Sequence, residues 1–314
     1  MSDWQNALLP AGPQAAHIHL LWQVMLVVCT IVFFAVLAAL CFALARGRRE
    51  PSAPRASESR THRWIGVGIA SSALLLAFLF GVTLYTDRAL ASLSVKDAIH
   101  IELIGHQWWW EAKYDDAQPS NVFSTANELH IPVGRPVVLT LKADDVIHSF
   151  WVPNLHGKKD LIPGRTATIS IAADRPGTYR GQCAEFCGFQ HAQMALLVIA
   201  ENAETFDGWL ARQRQPAPEP ATDLAKRGQA IVVNGTCGMC HAISGTDASA
   251  QHAPDLTHVA SRQWLGAGVL PNTAAGRAAW VLDAQAVKPG VNMPPQPLQA
   301  ADLNAVLAYL ETLR

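Results

Sequence analysis

Residues 183–194 read Cys-Ala-Glu-Phe-Cys-Gly-Phe-Gln-His-Ala-Gln-Met, and they bring four potential metal ligands into one short segment. The ligands are Cys183, Cys187, His191 and Met194. Cysteine thiolate and methionine thioether favour copper, and imidazole also binds it. Zinc has little use for a thioether. A disulfide, which an oxidising compartment permits, would leave the histidine and the methionine unexplained. The segment therefore predicts a copper site, with zinc or a disulfide as the alternatives.

The residues around this segment have the sequence pattern of β-strands. Residues 93–205 contain β-branched, aromatic or alternating runs, separated by Pro-Gly and Asp-Asp pairs, at 99–114, 137–143, 166–172 and 195–200. One loop does not easily complete a coordination shell, so we expect a further ligand upstream. His148 follows a strand-like run. One early histidine and a ligand-rich loop before the last strand resemble the cupredoxins, which predicts an all-β cupredoxin barrel over 93–205.

A second cofactor motif stands at Cys237-Gly-Met-Cys240-His241, the signature of covalent c-type haem attachment. Cys237 and Cys240 would add to the porphyrin vinyl groups, and His241 would become the proximal iron ligand. A redox Cys-x-x-Cys pair or a zinc site is the alternative. Pro254, in Ala-Pro-Asp-Leu, resembles the proline whose carbonyl orients the proximal histidine.

The distal iron ligand follows by elimination. This region has two methionines, and Met239 lies inside the attachment motif, which leaves Met293. His252 and His258 are the other candidates. His/Met ligation raises the reduction potential and leaves no open coordination position, so it predicts electron transfer and not oxygen binding. With Ala and Leu at helical spacing, residues 223–314 resemble a small all-α class I cytochrome c domain.

Two uncharged stretches, 20–45 and 64–86, are each long enough to span a bilayer as a helix. A cleavable signal peptide is the alternative for the first, but it needs a basic residue before a short apolar core, and residues 1–19 have none. The connecting segment is rich in arginine, at Arg46, Arg48, Arg49, Arg55, Arg60 and Arg63. The positive-inside rule therefore places that segment in the cytoplasm. Residues 1–92 are predicted to be a tail and a transmembrane hairpin in a bacterial inner membrane, with the N-terminus and the C-terminal domains outside.

Composition narrows the class of protein further. The 24 Lys and Arg against 25 Asp and Glu leave no basic excess, which excludes a nucleic-acid-binding protein. A chain that is 50% hydrophobic with a net charge of −1 is not intrinsically disordered. Residues 206–222 combine a short helix with a proline-rich spacer, which we expect to keep the two exported domains close while they reorient.

Taken together, the motifs resemble cytochrome c oxidase subunit II over residues 20–210. The resemblance rests on four further matches, namely Gly105-His-Gln-Trp-Trp-Trp110, Asp145-Val-Ile-His148-Ser, Ile162-Pro-Gly-Arg165 and Gly181-Gln-Cys183. It implies that both thiolates bridge two coppers, the copper A centre, with His148 and His191 as terminal ligands and Met194 as a weak one. Glu185 would give its backbone carbonyl to copper and its carboxylate to a magnesium ion at the interface with subunit I.

The resemblance also suggests roles for the tryptophans. Trp108 matches an aromatic residue through which electrons are thought to reach copper A, with packing in the barrel wall as the alternative. Trp109 and Trp110 are predicted to pack. One departure concerns protons, because the family commonly has a glutamate just before the second helix, whereas residues 60–63 read Arg-Thr-His-Arg and Glu58 is the nearest carboxylate.

With its C-terminal haem motif, the chain resembles the haem-c-bearing (caa-type) branch. The resemblance implies an electron-transfer subunit that takes electrons from an extracytoplasmic donor, cytochrome c or a quinol:cytochrome c reductase. Electrons would pass through haem c and copper A to subunit I, which reduces oxygen to water. Subunit III and membrane lipid are further expected partners. The alternatives are the electron-input subunit of a copper A nitric oxide reductase, a copper-delivery protein and a nitrous oxide reductase-like enzyme.

Overall fold

The computed structural model describes residues 4–49 and 58–314, and the chain divides into two compact units. One unit is Ala16–Ser94. The other combines the residues up to Ala15 with Val95–Arg314, and it contains both the strands and the C-terminal helices.

The smaller unit is built from two long helices, α1 (Pro13–Arg49) and α2 (Glu58–Ala91). Both extend past the predicted apolar spans, because flanking polar residues can continue the same backbone hydrogen-bond pattern. Their large apolar side chains, Phe33 and Leu74 among them, are mostly exposed. By length and composition both helices could cross a membrane. Arg55 lies outside the described residues, as do the side chains of Arg48 and Arg49.

The strands form a sandwich of two five-stranded sheets, here called the β domain. Its strands are β1 (Ile99–His106), β2 (Trp109–Tyr114), β3 (Phe123–Ala126), β4 (Glu128–Pro132), β5 (Val137–Ala143), β6 (His148–Trp151), β7 (Lys159–Leu161), β8 (Ala167–Ile171), β9 (Gly177–Cys183) and β10 (Ala195–Glu201). The first sheet has the order β3-β2-β1-β5-β8 and the second β4-β10-β9-β6-β7. Buried and part-exposed residues alternate along β1 and β5, as expected where one face of a sheet covers a core. The predicted all-β cupredoxin-like fold is confirmed.

Strand pairing brings the ligand-bearing segments to one end of the second sheet. β6 pairs with β9, with Phe150 opposite Cys183. His148, the first residue of β6, therefore lies near Cys183, the last residue of β9. The segment after β9 leads into β10, and the Cys183 amide closes this loop by donating to the Met194 carbonyl at 2.9 Å.

Residues 4–15, which we call the N-terminal strap, pack against the β domain. The Arg180 amide donates to the Trp4 carbonyl at 2.7 Å, and the Ala11 amide donates to the Asn154 carbonyl at 2.7 Å. Gly12 lies so close to the domain that a Cβ there would sit 2.1 Å from the Ala172 carbonyl oxygen. The sequence predicts only a tail here, because these contacts join residues far apart in the chain.

The remaining helices are α3 (Ala203–Gln213), α4 (Asp223–Asn234), α5 (Ala274–Leu282), α6 (Ala284–Val287) and α7 (Ala300–Thr312). Residues 223–314, here called the C-terminal domain, also contain a two-stranded hairpin of Trp264–Leu265 and Leu270–Pro271. Thr222 caps α4 by accepting the Ala225 amide at 3.2 Å. α4 packs on α7 around the buried Val232, Val306 and Tyr309. The predicted all-α class of this domain is confirmed.

Candidate metal centre and haem pocket

The four ligands of the 183–194 segment and His148 converge at one buried point. The His148 Nδ1 lies 3.9 Å from the Cys183 Sγ. The Cys187 Sγ lies 3.6 Å from the His191 Nδ1 and 3.8 Å from the Met194 Sδ. Within the described ranges, His148, Cys183 and Cys187 form the one group of at least three His, Cys, Asp or Glu side chains whose ligand atoms lie within 4.8 Å of one another.

This donor set fits copper. Two thiols, two imidazoles and a thioether face one another, and the Glu185 carbonyl oxygen lies 3.1 Å from the Cys183 Sγ. Soft sulfur donors with imidazole suit copper, whereas a zinc site would leave the thioether without a function. Cys183 and Cys187 are both free thiols. The arrangement therefore matches what the resemblance implies for two bridging cysteines.

The electrostatics of the site favour an ionised sulfur. A hydrogen bond from Cys187, together with further hydrogen bonds and against the effect of burial, lowers the pKa of the Cys183 thiol to about 3. The same hydrogen bond, together with burial, raises the pKa of the Cys187 thiol. A thiolate is the form that binds a metal.

Asp145 orients His148 from outside the ligand set. Its carboxylate accepts hydrogen bonds from the His148 Nε2 at 2.8 Å and from the Gln107 amide at 2.6 Å. Burial opposes ionisation of this carboxyl, but the hydrogen bonds from His148 and from the Val146 and Gln107 amides outweigh it and lower its pKa. Because the Nε2 faces Asp145, the Nδ1 is left to face the sulfurs. Such an outer carboxylate fixes the tautomer of a ligating histidine.

The Glu185 side chain is half-exposed, and its Oε2 lies 3.3 Å from the Lys158 Nζ. Lys158 is therefore the charged partner that the described residues supply to this carboxylate. The magnesium ion implied by the resemblance remains a prediction.

Trp108 lies next to the candidate copper ligands. Its indole Nε1 donates to the Cys187 carbonyl at 2.9 Å, and the Gln107 side chain donates to the same oxygen at 2.8 Å. A Cβ at Gly188, where φ is +113°, would lie 3.1 Å from the indole ring, so the ligand segment passes close over it. Trp110 is fully buried in the core. Trp109 stacks on His106 with ring centroids 4.3 Å apart.

The haem attachment motif lines a cavity in the same compact unit, here called the haem cavity. Cys237, Cys240 and His241 form part of its wall, with Met293 and apolar residues that include Val232, Leu256, Val281 and Leu310. Gln107, Trp108, Trp109 and Asn127 of the β domain also line it. An apolar cavity walled by the two cysteines, the histidine and the methionine fits a covalently bound haem.

His241 is held in the form that can bind iron. Its Nδ1 lies 2.6 Å from the Pro254 carbonyl oxygen, which leaves the Nε2 free. Burial lowers the pKa of His241 and favours the neutral ring. Of the two other distal candidates, His252 lines the haem cavity. His258 does not line it; its ring nitrogens lie 2.8 Å from the Arg314 carbonyl and 3.1 Å from the Gln215 carbonyl.

Sequence reasoning did not single out three residues of this region. Asp145 had a signal, since it stands three residues before His148 within the quoted motif. Gln107 had none beyond its place in the tryptophan motif. Lys288, which is buried against Trp108, had no signal at all, because nothing in its neighbourhood in the sequence marks it as buried.

Comparison with known proteins assigns the family. Residues 99–201 match the family model described as cytochrome C oxidase subunit II, periplasmic domain, and residues 225–314 match that of cytochrome c. Cytochrome c oxidase subunit 2 of Alkalihalophilus pseudofirmus is 33% identical over 317 residues, which cover 98% of this chain and 91% of that protein. The chain belongs to the cytochrome c oxidase subunit II family.

Two further proteins are similar to this chain. Cytochrome c oxidase subunit 2 of Bacillus subtilis is 29% identical, over 98% of this chain and 92% of that protein. The crystal structure of the periplasmic domain of subunit II of cytochrome oxidase of Bradyrhizobium japonicum is 28% identical, with a TM-score of 0.36, over 38% of this chain and 97% of that one. The predicted resemblance, a subunit II with a C-terminal cytochrome c domain, is confirmed. Its two domains imply copper A and haem c, and a subunit II associates with a subunit I.

Proposed function

We propose that this subunit II is the electron-transfer subunit of a respiratory terminal oxidase. It takes electrons from an extracytoplasmic donor and passes them through haem c and binuclear copper A to subunit I, where oxygen is reduced to water. The observation that carries this proposal is the position of Trp108. Its indole donates to the carbonyl of the copper ligand Cys187, and the same residue lines the haem cavity.

The side chains around both sites support transfer and not substrate binding. When bound, haem c and copper A supply one-electron oxidation and reduction. Cys183, Cys187 and Met194 are almost completely buried, so no substrate reaches them from solvent. Asp145 holds His148, and the Pro254 carbonyl holds His241, so the ligand geometry changes little when the charge changes. We assign Cys237 and Cys240 to the thioether links and Met293 to the distal position.

The membrane placement is also a proposal. The arginine-rich segment between the helices is assigned to the cytoplasm of a bacterial cell, and both cofactor domains to the outer side. The N-terminal strap supports this, because residues 4–15 are bonded to the β domain and must lie on the same side of the membrane as it does. Subunit III, membrane lipid and a cytochrome c or quinol:cytochrome c reductase as donor complete the proposed partners.

Activity of the native complex tests the proposal. The full-length chain is purified with its partner subunits from membranes, and reduced cytochrome c is supplied with oxygen or with nitric oxide. We expect oxygen consumption that is lost in a Cys187→Ser variant and kept in a Cys29→Ser variant, since Cys29 lies in α1. Reduction of nitric oxide without reduction of oxygen would contradict the proposal and favour the nitric oxide reductase alternative.

A further inference from the structure

Lys288 is a buried lysine of the C-terminal domain whose side chain reaches the β domain. It is 1% exposed. Its Nζ donates to the Trp108 carbonyl at 2.8 Å and to the Gly266 carbonyl at 2.8 Å. Removing an amine from water is costly unless hydrogen bonds replace the lost water, and here two carbonyls do so. One acceptor lies in each domain, so the hydrogen bond to Trp108 exists only while the domains are docked.

The loop that begins at Lys288 continues this contact toward the haem cavity. A Cβ at Gly290, where φ is +89°, would lie 3.6 Å from the Trp108 ring, so the loop backbone rests on the indole. The Pro289 carbonyl accepts the Gln190 side-chain amide at 2.6 Å, and Gln190 lies between the copper ligands Cys187 and His191. The same loop ends at Met293, the assigned distal iron ligand.

Gln285 keeps this loop in one conformation. Its side-chain carbonyl accepts the Gly290 amide at 2.9 Å, and its side-chain amide donates to the Met293 carbonyl at 3.0 Å. The part of the loop that touches Trp108 and the part that carries the iron ligand are thus fixed to one side chain.

A second set of contacts docks the same two domains independently of Lys288. The buried Glu128 of β4 accepts the Gln263 amide at 2.6 Å. The Ala195 amide, at the start of β10, donates to the Ala267 carbonyl at 3.0 Å. A side-chain carboxylate and a backbone amide of the β domain are therefore both paired with backbone groups of the C-terminal domain.

The proline-rich spacer is also bound and not free. The Ala217 amide donates to the Ser244 carbonyl at 2.9 Å. A Cβ at Gly245 would lie 2.8 Å from the Pro216 side chain, so the spacer lies against the C-terminal domain. These contacts oppose the reorientation that its composition alone suggests. Trp108 is 8% exposed, and Lys288 and Gly290 of the C-terminal domain are among the residues that contact it.

We propose that residues 288–293 form an internal bridge that holds the C-terminal domain docked on Trp108, with Lys288 as its positioning residue, and that this docking reserves Trp108 for the internal donor. The inference rests on the proposed function. With haem c held at His241 and Met293 and copper held at Cys183 and Cys187, the transfer would be a balanced one-electron step, since the electron that the haem gives up would be the one that the copper centre takes up.

The test uses the full-length chain, loaded with both cofactors in its oxidase complex, and a Lys288→Met variant. Methionine fills a similar volume but donates no hydrogen bond. Hydrogen–deuterium exchange is measured in peptides that cover residues 107–110 and 263–268. The variant removes one buried donor that bonds to both domains. Exchange in both peptides should therefore become about tenfold faster or more, whereas the exchange rate of the 237–241 peptide should not change. The control is Lys226→Met on α4, an exposed lysine of the same domain, which should match the wild type.

A second variant tests the docking separately, in case the Lys288→Met protein does not fold. Glu128→Ala removes the acceptor for the Gln263 amide on the β-domain side. It should loosen the same peptides, and in both variants the rate of copper reduction after rapid haem reduction should fall about tenfold or more. Wild-type exchange and rates in the Lys288→Met variant would overturn the proposal, and so would a wild-type rate of copper reduction in a Glu128→Ala variant whose peptides exchange faster. If instead the wild type shows protected peptides but no transfer from haem to copper, the docking stands and the proposed function fails.

Discussion

The crossing of α4 and α7 depends on Gly228, and replacing this glycine with alanine gives a result whose sign the structure determines. A Cβ at Gly228 would lie 1.9 Å from the Ala305 carbonyl oxygen and 2.9 Å from the Tyr309 Cβ. Ordinary contacts between such atoms are about 3.4 Å or longer, so the helices would have to separate by more than about 1 Å. The overlapped atoms belong mainly to the α7 backbone, which cannot rotate away as a side chain can.

Two opposing free energies set the magnitude. Glycine to alanine inside a helix normally stabilises by about 1 kcal/mol. Overpacking a tight core costs about 1–3 kcal/mol, and occasionally more. Because the clash at Gly228 is severe and with backbone, we expect the packing cost to exceed the helix gain by about 2 kcal/mol. For a domain of roughly 90 residues this lowers the Tm by about 10 °C.

Thermal unfolding of the full-length chain, followed by haem absorbance, measures this change. The matched control is Gly208→Ala in α3, where a new Cβ would meet only the flexible end of Arg212, at 3.5 Å. The free energy of unfolding of that variant should be unchanged or up to about 1 kcal/mol higher. It is measured by following the unfolding of the β domain. A Gly228→Ala protein as stable as the wild type would refute the reasoning that this contact fixes the helix crossing.

Three further predictions concern single side chains. Burial, opposed by backbone hydrogen bonds, raises the pKa of Glu128, so the folded chain favours the protonated carboxyl. The stability that this group contributes is present below the ordinary glutamate pKa and is lost as pH rises through the raised pKa. The Tm of a Glu128→Gln variant relative to the wild type should therefore rise as pH increases above the ordinary glutamate pKa, and a Tm difference that is constant with pH would count against this. Asp145→Asn should weaken copper binding about 10–100-fold, measured in competition with a chelator. Asp144→Asn, which changes a mostly exposed carboxylate, should leave the copper affinity unchanged. Equal copper affinities of the two variants would show that Asp145 does not support the site. Met293→Leu should open a coordination position on the haem iron, so that the haem binds carbon monoxide readily. Met239→Leu, which changes a 70% exposed residue, should not open one. If neither variant binds carbon monoxide, Met293 is not the distal ligand.

The ligand sets could be predicted from the sequence because most of their members are close together in the chain. Cys183, Cys187, His191 and Met194 share one loop, and the haem motif is contiguous. His148 is 35 residues from Cys183, yet its place after a strand-like run indicated a role before the pairing of β6 with β9 was known. Chemistry carried by local spacing is therefore visible in a single sequence.

The docking of the domains was not predictable in the same way. Lys288 bonds to Trp108 across 180 residues, and Asn6 of the N-terminal strap bonds to Asn154 of the β domain across 148 residues. A lysine before Pro-Gly has the composition of a solvent-exposed turn, and only tertiary packing buries it. The position of the spacer could not be predicted either, since alternating prolines indicate a semi-rigid linker but not the surface on which it lies.

The proposed function depends most on the presence of two coppers next to one haem in a single chain. Copper and iron are counted in the purified full-length chain, matured with haem c and loaded with copper, and the electron paramagnetic resonance spectrum of the oxidised protein is recorded. The account predicts a copper-to-iron ratio of about two and one unpaired electron delocalised over both coppers. A ratio of about one with a mononuclear copper spectrum, or zinc in place of copper, would contradict it.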